Sequence, residues 1–341
     1  MVARNRPFSS LSHYFPTENM KKILGLCWFS IAMVCETHAR VTNDFSNCLK
    51  YFYGGHVPKG YDGIALPDGF DHPDLPDWIK QHPEDVVSPA YICQTDGNSY
   101  FATLYDRGRR IPLYSAYIME RRPNSPPAQC DRSRSFKLEP QLIYRELTAN
   151  MKLAGELTKE IKNFNKEHAI DQRKRQNTPS DLIPKSQTVK EDYKNTKYQK
   201  GHLNPCGHHV TEANYQATFT LTNVVPMTPA LNNVIWSAYE NQMVTESNGC
   251  TTMYVITGIV PGNNKLNNRV TIPSHVWNAY CCVDNNDKPI KSGAALANND
   301  NLIEQNAMEH LGISDLETKL KTLLRASNDI VLFHNCKPGN M

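Results

Sequence analysis

Strand-like alternation of hydrophobic and polar positions is clearest in the middle and later parts of the chain. Tyr100–Asp106 and Ile111–Glu120 are β-branched and aromatic with Gly108 between them, which predicts a hairpin. Thr252–Ile259, Val270–Ile272 and Trp277–Val283 repeat that character, and Thr218–Met227 adds another strand candidate. Leu142–Phe164 is built from good helix formers and predicts one helix. Thr228-Pro229 supplies an N-cap and an N1 proline ahead of Leu231, Val234, Ile235 and Ala238. An amphipathic helix is therefore expected from Pro229 to Glu246. Ser314-x-x-Glu317 reads as a capping box for a last helix with Leu316, Leu320, Leu323 and Leu324 on one face. Phe45–Val87, rich in Gly, Pro and Asp, reads as loop. Asp171–Lys200, with mixed charges, Pro179 and Pro184, reads as a solvated excursion. Strands interrupted by a few helices predict an α+β domain with a central mixed or antiparallel sheet flanked by helices. No internal repeat is found.

The N-terminal region changes the picture of location. Lys21 and Lys22 precede an apolar run from Ile23 to Val34, and Thr37-His38-Ala39 follows, the basic–apolar–small layout of a secretory signal peptide. The run is short for a membrane span, and no stable membrane association is expected. Residues 1–39 are thus assigned to an upstream extension plus signal peptide, with Met1 and Met20 both open as the start. Residues 40–61 form a mature N-terminal segment, and 62–341 the main domain. Of 37 basic and 34 acidic residues, four and two fall in 1–39, which leaves the mature chain at +1. A nearly neutral molecule attracts polyanions only through a local patch. The run Arg107–Lys137 is basic enough to line such a groove, or to form a solvated face.

Eight cysteines remain beyond residue 39: Cys48, Cys93, Cys130, Cys206, Cys250, Cys281, Cys282 and Cys336. An even set on a chain sent to an oxidising compartment reads as disulfides, with Cys281 and Cys282 bound to different partners. Cys206 with His208 and His209 lacks the paired ligand spacing of a structural zinc site, which favours a disulfide at Cys206.

Candidate chemistry is concentrated in three segments: Tyr198–Pro205, Leu221–Pro226 and Leu231–Glu240. Phosphodiester hydrolysis needs a base to activate water and a cation to stabilise developing charge. A histidine beside a glycine and after a cationic residue (Lys200-Gly201-His202) supplies a base and a phosphate contact. An asparagine near a helix start offers a neutral oxygen to Mg²⁺, which keeps several waters and few protein ligands. A carboxylate two turns on can hold one of those waters.

These segments resemble the DNA/RNA non-specific endonucleases of the ββα-metal type, and within them the vertebrate secreted endonuclease domain-containing 1 proteins. The likeness runs from Asp62 to Cys336 and takes in Arg110–Tyr117 and Tyr254–Gly258. It implies a ββα-metal nuclease fold and Mg²⁺-dependent cleavage of DNA and RNA, with Mn²⁺ as the alternative ion. Carried over, His202 is the general base and Asn232 the direct metal ligand. Glu240 binds metal-coordinated water, Asn223 orients the site, and Arg134 stands for the family's upstream arginine. Lys200 or Arg134 contacts phosphate. The sequence departs from the family's Asp-Arg-Gly-His at Gln199-Lys200, where lysine loses arginine's bidentate grip and glutamine removes an acid. Asp106-Arg107-Gly108 mimics the signature but continues into Arg109 and reads as a hairpin turn. The alternative is a catalytically weakened secreted nucleic-acid-binding or protein-interaction module on the same fold. Gln199-Lys200 and the low net charge favour it; His202 and Asn232 oppose it.

Overall fold

The computed structural model describes residues 41–61, 63–65, 88–95, 99–126, 130, 135–171, 173, 178–301 and 307–338. The expected leader, residues 1–39, and Arg134 lie outside the described residues.

Eight strands form one wholly antiparallel sheet: β1 (Val41–Thr42), β2 (Ala90–Thr95), β3 (Ser99–Asp106), β4 (Ile111–Ile118), β7 (Thr252–Leu266), β8 (Val270–Val283), β9 (Pro289–Asn298) and β10 (Met308–Leu311). They neighbour one another in that order. The β3–β4 hairpin is the expected one. Its turn is Asp106–Arg110, where Asp106 Oδ1 accepts the Arg109 N–H at 2.9 Å, so this near-signature is structural. The β7–β8 hairpin is longer than its sequence pattern and turns on Asn267 and Asn268, whose φ values of 47° and 57° asparagine tolerates.

Both faces of the sheet are covered, as strand alternation permits. Met253 and Val255 pack with Tyr239 and Met243 of helix α4 (Ser237–Glu246). Ile256 on the other face joins Phe45, Trp277 and, from helix α5 (Ile313–Leu324), Leu316 and Leu320. Residues 41–61 therefore contribute to the main core. Four disulfides reinforce it: Cys48–Cys93, Cys130–Cys206, Cys250–Cys282 and Cys281–Cys336. Adjacent Cys281 and Cys282 project from opposite faces of β8, which is why their partners differ.

Tertiary contacts override local propensity in four places. The expected helix Leu142–Phe164 begins only at Ala154 as α1 (Ala154–Glu167). Ahead of it, Gln141 Nε2 donates to the carbonyls of Arg145 and Leu147, and Leu138 and Lys152 exchange backbone hydrogen bonds. Those groups are no longer available to a helical ladder. Asp171–Lys200 is not simply solvated: it contains α2 (Pro179–Ser186), whose Leu182 and Ile183 close a second core with Leu157, Ile161 and Phe164 of α1. Buried Asp192 in the same stretch holds Arg269 at 2.8 Å. The strand expected over Thr218–Met227 is regular only at β6 (Val224–Met227). Finally, the capping box does not form. Gly312 is the N-cap of α5, and Glu317 Oε1 instead accepts the Leu332 N–H at 2.7 Å, pinning the C-terminal segment.

A side chain at Gly258 has no room. A Cβ there would stand 2.3 Å from the Trp277 ring and 2.6 Å from the Leu113 carbonyl oxygen. Gly258→Ala is expected to destabilise the fold by about 1–3 kcal/mol or more through overpacking. A lowered urea midpoint with an unchanged m-value is the measurement that checks it.

Candidate active site

A second, two-stranded sheet carries the site. β5 (Gln199–His202) pairs antiparallel with β6, placing His202 opposite Val224 and Gly201 opposite Val225. Gly201 is required by close approach, because a Cβ there would fall 2.2 Å from Met227 Sδ. After β6 the chain enters a π-helical turn, Leu231–Trp236, which continues as α4. Thr228 caps the start through its carbonyl and hydroxyl, as the sequence suggested. The π-turn was not foreseen. It shifts the helical phase so that Leu231, Trp236, Tyr239 and Met243 are buried while Val234 stays 49% exposed.

This β–β–α unit brings most of the predicted residues to one cleft of about 830 Å³, lined by Gln199, Lys200, His202, Asn232 and Glu240 among others. His202 packs beside the rings of Phe136 and Phe219, with centroids 5.5 and 5.4 Å away. Its Nε2 is buried without a hydrogen-bond partner. Burial, and secondarily the charge of Lys200, lowers its pKa to about 4, so the imidazole is neutral at physiological pH. The Lys200 ammonium lies over Phe136 and Tyr193, 5.4 and 4.9 Å from the ring centroids. Its pKa is lowered by burial and by Lys190. The Glu240 carboxyl has no hydrogen-bond or ion-pair partner among the described residues, and burial pushes its pKa up to about 8.

Gln199, which sequence reasoning read only as the loss of an acid, has a partner here. Its Oε1 accepts a hydrogen bond from Asn232 Nδ2 at 2.7 Å. The Asn232 amide nitrogen is thereby engaged, which leaves its oxygen as the available donor to a cation. A neutral oxygen, a carboxyl and an imidazole in one cleft fit an ion such as Mg²⁺ that retains most of its water. No group of three or more His, Cys, Asp or Glu residues suited to hold a metal occurs among the described residues.

Asn223 is not in the cleft. It is fully buried behind it, accepting from Ser115 Oγ and the Asn204 N–H and donating to the carbonyls of Asn204 and Thr218. These bonds hold the chain just after His202. The disulfide favoured over a zinc site at Cys206 is present: Cys206 is bonded to Cys130. His208 Nε2 donates to the Glu240 carbonyl and its Nδ1 accepts from Tyr117, while His209 Nε2 donates to Asn204 Oδ1. Glu120 closes this network by accepting the N–H groups of Val210 and Thr211.

The basic run is neither a groove nor a solvated face among the described residues. Arg107, Arg109, Arg110, Arg121 and Arg122 each donate to backbone carbonyls, which makes them internal braces. Gln199, Phe136 and Tyr193 are cleft residues that sequence reasoning did not select. Gln199 stood within the Tyr198–Pro205 segment and Phe136 two residues after Arg134, so both lay beside residues already singled out; Tyr193 did not.

The family model for DNA/RNA non-specific endonucleases matches residues 84–338. Endonuclease domain-containing 1 protein of Homo sapiens is 28% identical over 243 residues, 70% of this chain and 39% of that protein. The protein of the same name in Mus musculus is 31% identical over 246 residues, again 70% of this chain and 39% of its own length. The chain thus matches about two fifths of these relatives. A solved chain from the EndoG/EndoGI complex aligns at 14% identity with a TM-score of 0.43, covering 68% of this chain and 83% of that one.

Glu120 generates a pH-dependent prediction. Burial raises its pKa, but the contact with His209 and the N–H groups of Val210 and Thr211 outweigh that and bring it to about 2, below the ordinary 4.5. A depressed carboxylate stabilises the fold above its unfolded pKa, and that stabilisation is lost as pH falls from 4.5 toward 2. The Tm gap between wild type and Glu120→Gln should be open at pH 6 and narrow to about a quarter of that by pH 2.5.

Proposed function

Because this chain belongs to the DNA/RNA non-specific endonuclease family, we propose that its cleft hydrolyses phosphodiester bonds of DNA and RNA with His202 as the general base. The carrying observation is the convergence of a neutral imidazole with an unpartnered Nε2, the Asn232 amide and the Glu240 carboxyl in a single cleft. Asn232 Oδ1 would hold Mg²⁺, or Mn²⁺, directly and Glu240 would hold one of its waters. When bound, the ion supplies charge stabilisation at the phosphorane and the leaving oxygen.

The chain's own residues account for the rest. His202 Nε2 accepts the proton of the attacking water, and a phosphodiester anion alongside raises its basicity above that of the empty site. The nearby Lys200 ammonium contacts a phosphate oxygen as a point charge, with Arg134 as a further candidate from outside the described residues. Gln199 keeps the Asn232 amide turned so that its oxygen meets the ion. Asn223 acts only through the chain it holds.

Four disulfides and the expected leader support a secreted protein. Among the described residues no helix is long and apolar enough to cross a membrane.

His202→Ala, secreted so that its disulfides form, is expected to lose about 10²–10⁴-fold in Mg²⁺-dependent cleavage of plasmid DNA and RNA while retaining its thermal midpoint. Asn232→Ala should raise the Mg²⁺ concentration needed for half-maximal rate. Nucleic-acid binding without cleavage by folded wild type, undiminished in EDTA, would instead favour the binding-module reading.

A further inference from the structure

A second groove of about 970 Å³ adjoins the cleft and shares Phe136 and Lys200 with it. Its size is at the upper end for small-ligand pockets. Leu138, Ile183, Val189 and Leu221 form its apolar wall, between the start of α1 and α2. The charges are distributed unevenly. Arg269, inside, is spent on Asp192 and on the carbonyls of Pro184 and Gln187. Lys200 stands at the shared mouth with its ammonium over Phe136, and exposed Lys190 lies on the same lining. The interior thus suits a flat apolar group, whereas a phosphate is favoured only at the mouth. Phe136, 5.5 Å from the His202 ring, forms the boundary between the two.

We propose that this groove takes an unstacked nucleobase from the strand whose phosphate sits at Lys200 and His202, with Phe136 as the stacking surface. The inference rests on reading the cleft as the place of that phosphate, and it narrows the substrate class. A base inside a duplex is already stacked and paired, so it reaches the groove only after flipping, at the cost of that stacking and pairing. Single-stranded DNA or RNA meets no such cost. Apolar walls read the π-face of a base and not its hydrogen-bonding edge, so the preference is for strandedness without sequence.

Binding in EDTA separates this inference from the hydrolytic one. The secreted protein is titrated against labelled oligo-dT, the same oligonucleotide with consecutive abasic residues, and a hairpin duplex of equal charge. Anisotropy gives the affinities. Stacking predicts about tenfold or more tighter binding of oligo-dT than of the abasic strand or the duplex. Ala154→Trp and Ser180→Trp, at exposed positions on opposite walls of the groove, should erase the preference while leaving affinity for the abasic strand unchanged. Two fillers are used so that misfolding of one, seen in its melting curve, does not decide the matter. Equal affinities for the three probes, no measurable binding, or a preference that survives both folded fillers overturns the proposal. Mg²⁺-dependent cleavage with equal affinities leaves the hydrolase reading standing without the groove. A base preference without cleavage does the reverse.

Discussion

The buried amide of Asn223 is the interaction on which the site depends. It accepts from Ser115 Oγ on β4 and from the Asn204 N–H, and it donates to the carbonyls of Asn204 and Thr218. One side chain thereby ties the central sheet, the segment after His202 and the approach to β6. Removing it would leave the Asn204 N–H and the carbonyls of Asn204 and Thr218 without that partner, each costing about 1–3 kcal/mol, while Ser115 Oγ keeps Thr103. The two-stranded β5–β6 sheet is too small to hold its own register, and this clamp, with the Gly201–Met227 contact, fixes it.

Two of the groups that face the cleft stand without partners. His208 is bonded to Tyr117 on the sheet and to the Glu240 carbonyl on α4, and His209 Nε2 to Asn204, yet His202 Nε2 and the Glu240 carboxyl have no partner among the described residues. Burial moves both toward neutrality, His202 down to about 4 and Glu240 up to about 8. Groups desolvated this way are costly to fold and gain most from an occupant that restores charge complementarity. A cation and a phosphate at adjacent positions meet that requirement together.

Much of this was legible in the sequence because the signals were local. The β3–β4 hairpin, the α+β class, the separate partners of Cys281 and Cys282 and the Thr228 cap all follow from short patterns. The meeting of Lys200, His202, Asn232 and Glu240 was expected from the resemblance of their segments to the ββα-metal nucleases, and the structure places all four on one cleft. What could not be read depends on distant partners. Glu317 abandons its capping box for Leu332, Gln141 breaks the expected long helix, and Leu182 and Ile183 turn a polar excursion into core. The arginines from 107 to 122 look like a phosphate-binding face in one dimension and prove to be braces for backbone carbonyls. Gln199 shows the same limit: its use became visible only when Asn232 stood beside it.

The most direct test of the central claim is chemical rescue of His202→Gly. Cleavage of a defined oligonucleotide in Mg²⁺ is measured with and without added imidazole, for the folded variant and for wild type. A base at this position predicts that the variant is inactive alone and regains cleavage with imidazole, in proportion to the neutral fraction of the added base. A folded variant that cleaves like wild type, or that imidazole leaves inactive while wild type turns over, would contradict the account.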